Sequence, residues 1–164
     1  MTKQDWKIDP NRDLVLERVV NVAPELVWKA WTQPEHLVKW FTPRPWMTVH
    51  CEIDLYPGGK FRTIMRSPEG QEADNTGCYL EVVENQRLVW TGALEPGFRP
   101  AKIAADVPFL FTAAILMEPS GTGTKYTAIA MHQTETGCKS HEEMGFHHGW
   151  GAALDQLVEV APTF

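Results

Sequence analysis

Imidazoles and carboxylates crowd the last third of this sequence: His132, His141, His147 and His148, with Glu142 and Glu143 among them. Such groups in one neighbourhood could ligate a metal ion or carry protons. Glu143 and His147 stand four apart, on one face of a helix and within reach of a shared metal or a hydrogen bond. The run His141-Glu142-Glu143-Met144-Gly145 departs from the zinc-binding His-Glu-x-x-His pattern at its fifth residue, which is glycine, so no metal site is expected. His147 also falls on an apolar stripe, where it is either a hydrogen-bonded core residue or a polar group inside a pocket. An unperturbed imidazole titrates near ~6.5, so in a pocket it could act as a general base. Tyr79 is the second acid/base candidate. No nucleophile elbow, glycine-rich phosphate loop or catalytic-triad spacing occurs, and Gly58-Gly59 and Gly121-Thr122-Gly123 read as hairpin turns. Cys51, Cys78 and Cys138 form no Cys-x-x-Cys pair and read as reduced, buried thiols of a cytoplasmic protein.

These residues need a scaffold. Met144, His147, Trp150, Leu154, Leu157, Val158 and Ala161 recur at three- and four-residue steps, which predicts one long helix over Ser140–Ala161. Ser140 would cap it, Glu142 and Glu143 would sit at the positive end of its dipole, and Pro162 would end it. Gly145, Gly149 and Gly151 within it suggest close packing or a nearby ligand.

Nearly everything earlier reads as strands. Asp13 to Val22 is a β-type run, followed by two short helices started by Pro24 and Pro34. Six strands follow: about Trp46 to Leu55, Lys60 to Arg66, Asn75 to Glu84, Arg87 to Thr91, Val107 to Glu118 and Thr124 to Gln133. Arg18, Arg62 and Glu81 are expected to point outward into solvated cross-strand pairs. A meander of this kind is antiparallel, with one wet and one covered face. The expected class is therefore α+β: a curved antiparallel seven-stranded sheet wrapped around a long C-terminal helix, with two short helices after strand 1. The irregular segment from Glu95 to Asp106 is long enough to serve as a lid or mouth.

The chain of 164 residues fits one domain, 1–164, with a core over about 14–161. Its net charge of −6 and the lack of a basic run argue against nucleic acid and anionic membrane as partners. Residues 1–10 are polar, without the apolar run of a signal peptide, and no stretch approaches a membrane span. Hydrophobic content of 43% with seven Trp and seven Phe leaves an unusual amount of aromatic surface to place. On alternation and the helix stripe, the expected lining of a cavity is Trp31, Trp40, Phe41, Phe61, Met65, Tyr79, Trp90, Phe111, Ala113, Ile115, His147 and Trp150. Trp28, Phe109 and Tyr126 lie close to that set. Such walls suit a flat, apolar or aromatic ligand.

Four stretches in order carry a family resemblance. Val27-Trp28-Lys29-Ala30-Trp31-Thr32-Gln33-Pro34-Glu35-His36-Leu37 with Trp40-Phe41 is the first, and Asp54-Leu55-Tyr56-Pro57-Gly58-Gly59-Lys60-Phe61 the second. Gly77-Cys78-Tyr79-Leu80-Glu81-Val82 with Arg87-Leu88-Val89-Trp90-Thr91 is the third, and Gly149-Trp150 with Leu154-Asp155-Gln156-Leu157 the fourth. Together they resemble the activator of heat-shock-protein ATPase homologue branch of the START-like (SRPBCC) superfamily, over about Leu14 to Val160. Tyr56 departs from the arginine usual in the second motif. The resemblance implies a helix-grip, Bet v-like fold with a hydrophobic cavity between sheet and long helix. No cofactor is expected. Superfamily members bind lipids, polyketides or hormones, and some cyclise polyketides. The branch takes its name from a eukaryotic co-chaperone with an additional middle-domain-binding region. This chain has no length for one, so a chaperone partner is not expected; a homodimer is left open. Three functions follow in order: binding of a small hydrophobic molecule, a cyclase-like or hydrolase-like reaction using His147 or Tyr79, and a chaperone-associated interaction module.

Overall fold

In the computed structural model, which describes residues 5–164, the alternating runs become strands and the proline-started runs become helices. The polar start therefore lies partly outside the described residues. The elements are β1 (Asp13–Val20), α1 (Pro24–Thr32), α2 (Pro34–Leu37), β2 (Met47–Ile53), β3 (Lys60–Arg66), β4 (Glu72–Val83) and β5 (Arg87–Thr91). They continue with β6 (Leu94–Glu95), β7 (Arg99–Pro100), β8 (Phe111–Ser120), β9 (Gly123–His132), α3 (Glu135–Glu143) and α4 (Phe146–Val160). A 3-10 turn, Ala161–Thr163, follows α4 and carries Pro162, which cannot continue a helix. As expected for an α+β helix-grip fold, seven strands form one antiparallel sheet in the order β1-β9-β8-β5-β4-β3-β2. The first strand pairs with the last, so α1 and α2 carry the chain from one edge of the sheet to the other.

The sheet bends where its backbone demands it. At Gly77 a Cβ would stand 2.7 Å from the Thr91 carbonyl oxygen, so only glycine admits that approach of β4 to β5. Three residues on, the register with β5 shifts between Tyr79 and Glu81, an irregularity that bends a strand. The concave face packs on α1 and α4 through Trp31, Tyr79, Trp90, Ile115, Tyr126, Leu154 and Leu157, the centre of the main core. The convex face is not simply wet. Val89, Ala114, Leu116 and Ile129 are buried there beneath the partly buried Trp6 and Ile8 of the N-terminal segment.

Two expectations about the helical end need correction. The single helix over Ser140–Ala161 is two helices, with Gly145 between them at φ 98°, a left-handed conformation natural to glycine. The true cap is Thr134, whose hydroxyl accepts from the Gly137 amide at 3.0 Å; Ser140 lies inside α3. Arg18 is the second correction. Its Nη1 meets Asp155 at 2.7 Å and its Nη2 donates to the Gly151 carbonyl at 2.7 Å, so it joins β1 to α4. Arg62 and Glu81 do form cross-strand pairs, with Asp74 and Arg87.

Within the long segment after β5, β6 and β7 make a small hairpin around Gly97 and Phe98. The Gly97 amide donates to the Gly58 carbonyl at 2.8 Å, which anchors the hairpin to the Pro57-Gly58-Gly59 turn. Residues 102–108 beyond it are exposed, and Phe109 and Leu110 lead half-buried into β8.

Candidate functional site

Aromatic side chains from α1, the strands and α4 do not close the interior completely. They wall a cleft of about 1020 Å³ between the concave sheet, α4 and the segment between β5 and β8. At one end Trp31 is the hub. Its ring stands 4.9 Å from Trp40, 5.1 Å from Trp90 and 5.7 Å from Phe41, centroid to centroid. Its indole N–H donates to the Tyr126 hydroxyl at 3.1 Å, so the buried polar tip is satisfied. Phe61 packs edge-on against Trp90 at 5.2 Å and continues this wall into β3, where Thr63 and Met65 follow on the same face.

The opposite end is built around His141. Phe109 stacks on its ring at 4.6 Å and Phe111 lies at 4.8 Å, with Phe146 and Trp150 of α4 beyond. His132 Nε2 and His141 Nδ1 are 2.8 Å apart, and His132 Nδ1 is 2.8 Å from the Arg12 carbonyl oxygen. Burial, aided by the neighbouring His132, pushes the His141 pKa down to about 4, so at neutral pH this ring is uncharged. The cleft rim is polar, with Asp74, Asn75, Thr76, Glu95 and Lys102.

Gln156 fixes α4 against the segment leaving α2. Its Nε2 donates to the Trp40 and Thr42 carbonyls at 3.0 and 2.9 Å, and its Oε1 accepts from the Arg44 amide at 2.9 Å. The Thr42 and Thr48 hydroxyls bond to each other beside it.

Of the residues singled out in the sequence, Trp31, Trp40, Phe41, Phe61, Met65, Trp90, Phe111 and Trp150 line this one cleft. Ala113 and Ile115 are fully buried in the sheet's packed interior and do not reach it. Tyr79 is sealed behind Phe61, stacked at 5.3 Å, its hydroxyl without a hydrogen-bond partner. Burial raises its pKa far above the ordinary range, which disqualifies it as a proton carrier for a ligand in the cleft. His147 is outside altogether. It is exposed and pairs with Glu142 at 3.4 Å, not with Glu143, because the break at Gly145 turns α4 so that Phe146 and Trp150 face inward. The imidazole that does line the cleft is His141. Its signal was its position three residues after Cys138, on the apolar face of a separate helix. Among the described residues no cluster of His, Cys, Asp or Glu could hold a metal. The half-buried Cys51 thiol is pushed up to about 12 by desolvation and by Glu52, so it stays protonated and unreactive.

A curved antiparallel sheet gripping a C-terminal helix, with an aromatic cleft between them, is the architecture of the helix-grip proteins, a fold that commonly binds hydrophobic ligands. Within that class, residues 21–161 match the family "Activator of Hsp90 ATPase homolog 1-like protein", and the chain belongs to it. The crystal structure of a protein from Nitrosomonas europaea is 49% identical, with a TM-score of 0.89 over 95% of this chain and 97% of that one. A protein from Rhodobacter sphaeroides is 19% identical at TM-score 0.81, covering 96% of this chain and 97% of its own. One from Chromobacterium violaceum is 24% identical at 0.73, covering 93% and 98%. The last two share the fold alone. No curated protein matches the chain. No helix among the described residues is long and apolar enough to cross a membrane.

Proposed function

We propose that this protein binds a small, mainly apolar molecule in the cleft between the sheet and α4. The observation that carries the reading is the wall itself: Trp31, Phe41, Phe61, Trp90, Phe111 and Trp150 pack ring against ring at the two ends and still border a space of about 1020 Å³. A space near the upper end of ordinary ligand pockets, apolar within and polar at its rim, suits a flat hydrophobic molecule more than a protein surface. Catalysis through Tyr79 or His147 has no support in the geometry, since neither group reaches the cleft. The chaperone-associated reading rests on the family's description alone.

Gly149 supplies the test. It lines the cleft, and a Cβ there meets nothing within 4 Å, so Gly149→Leu starts from open space and should extend into the cleft. The amphiphilic fluorophore 1-anilinonaphthalene-8-sulfonate should bind the folded wild type through its aromatic rings, quench tryptophan emission and raise the melting temperature, as any ligand selective for the folded state does. Gly149→Leu should retain the fold and weaken that binding at least tenfold. Absence of binding to the folded wild type would defeat this reading and move the interaction module ahead of it.

A further inference from the structure

The two histidines at the end of the cleft have a proton order that the geometry dictates. A backbone carbonyl only accepts, so the contact between His132 Nδ1 and the Arg12 carbonyl oxygen places a proton on His132 Nδ1. A neutral His132 then has a lone pair on Nε2, and the 2.8 Å contact is made by the Nδ1–H of His141 donating to it. That leaves His141 with its lone pair on Nε2. Among the described residues, the sealed side-chain nitrogen and oxygen atoms without a partner are His36 Nδ1, the Tyr79 hydroxyl and Arg87 Nε. Among the described residues His141 Nε2 has no hydrogen-bond partner, yet it is not one of these, although the residue is only 8% exposed. His141 lines the cleft, beside Phe109, Phe111 and Trp150.

We infer that the relay from the Arg12 carbonyl through His132 fixes His141 Nε2 as a hydrogen-bond acceptor at the end of the cleft, selecting a flat apolar ligand that ends in an O–H or N–H donor. The inference rests on the small-molecule reading of the cleft and adds to it the ligand's polarity and orientation. The donor end goes to His141, and the apolar body lies along Phe111 and Trp150 toward Trp31. A ligand with only an acceptor at that end would set its lone pair against that of Nε2, and one with no polar group there would leave Nε2 desolvated and unmatched. A second donor elsewhere on the ligand finds water at the polar rim.

Two measurements at pH 8 test this. The first compares 2-naphthol with 2-methylnaphthalene, which has the same shape without the donor, by tryptophan quenching. The ratio of their affinities should favour naphthol about five- to tenfold more in the wild type than in His141→Phe, the value of one neutral hydrogen bond. The aromatic replacement keeps the ring contacts, so methylnaphthalene binding should persist. The second is long-range ¹⁵N–¹H correlation on the ring nitrogens of the unliganded wild type, which should show the proton on Nδ1 of both His132 and His141. An Nε2–H tautomer at His141 would overturn the inference, as would an affinity ratio unchanged by His141→Phe. Binding of neither naphthalene would overturn it too, while the anilinonaphthalene result decides separately whether the cleft binds small molecules at all.

Discussion

His141 carries the residue-scale argument because its neighbours are almost all aromatic rings. Phe109, Phe111, Phe146 and Trp150 surround it, and the side chain it hydrogen-bonds is another imidazole. Nothing there compensates a positive charge, which is why burial holds its pKa near 4. The consequence for stability has a definite sign. Unfolded, the ring titrates near 6.5 and takes up a proton more readily than the folded chain allows. Its contribution is therefore complete above about pH 6.5 and is lost as the pH falls from there to about 4. The paired carboxylates act lower: Glu52, held to about 2 chiefly by Arg62, and Asp74, also lowered by Arg62, lose their pairing only in more acid solution. Thermal melts should accordingly show wild-type stability falling between pH 6.5 and 4.5, and His141→Phe should flatten that fall. An unchanged slope in the variant would mean that His141 is charged in the folded protein. Little of this was legible in the sequence, where His141 looked like one member of a polar cluster. Which of His141, His147 and His148 is desolvated depends on the phase of the helix that carries it.

That phase is an element-scale property. The three- and four-residue recurrence of apolar positions continues from Met144 through Ala161, so it carries no mark of the break after Glu143. Met144 is in fact exposed, and α4 buries Phe146, Ala153, Leu154 and Leu157 instead. The signal that was available was glycine. Gly145 and Gly149 looked alike in the sequence, but only Gly145 has a positive φ. The two should therefore respond oppositely to alanine. Gly145→Ala should cost about 1–2 kcal/mol in urea unfolding, the penalty of a left-handed residue bearing a Cβ, and Gly145→Asn should recover part of it. Gly149→Ala should stabilise by up to about 1 kcal/mol, since helix propensity improves and the new methyl meets only open space. A similar cost at both positions would mean that α3 and α4 are one continuous helix. The strands were far easier to read, because period-two alternation survives whatever the sheet packs against, and β3 and β5 fall on the expected residues. β8 starts later than expected, at Phe111, since the apolar Val107 belongs to the cleft wall rather than to a ladder.

At the scale of the whole molecule, the sheet and α4 meet in two regimes, and Leu154 and Trp150 report on one each. Leu154 and Leu157 are sealed against the strands and α1, in the middle of the main core. One turn earlier, Trp150 is only partly buried, its ring shared between Phe111, Phe146 and the cleft. Arg18 and Gln156 tie α4 to β1 and to the segment after α2. The core end behaves as close-packed matter: Leu154→Ala leaves a cavity and should cost about 2–5 kcal/mol. The cleft end is already open on one side, and the tryptophan removed there surrenders fewer contacts. Trp150→Ala should therefore destabilise less than Leu154→Ala despite deleting a larger side chain, while weakening anilinonaphthalene binding that Leu154→Ala leaves intact. Urea unfolding with and without the fluorophore reads both effects in one experiment. If Trp150→Ala proves the costlier change, the aromatic walls close on each other in solution and the space between them is core.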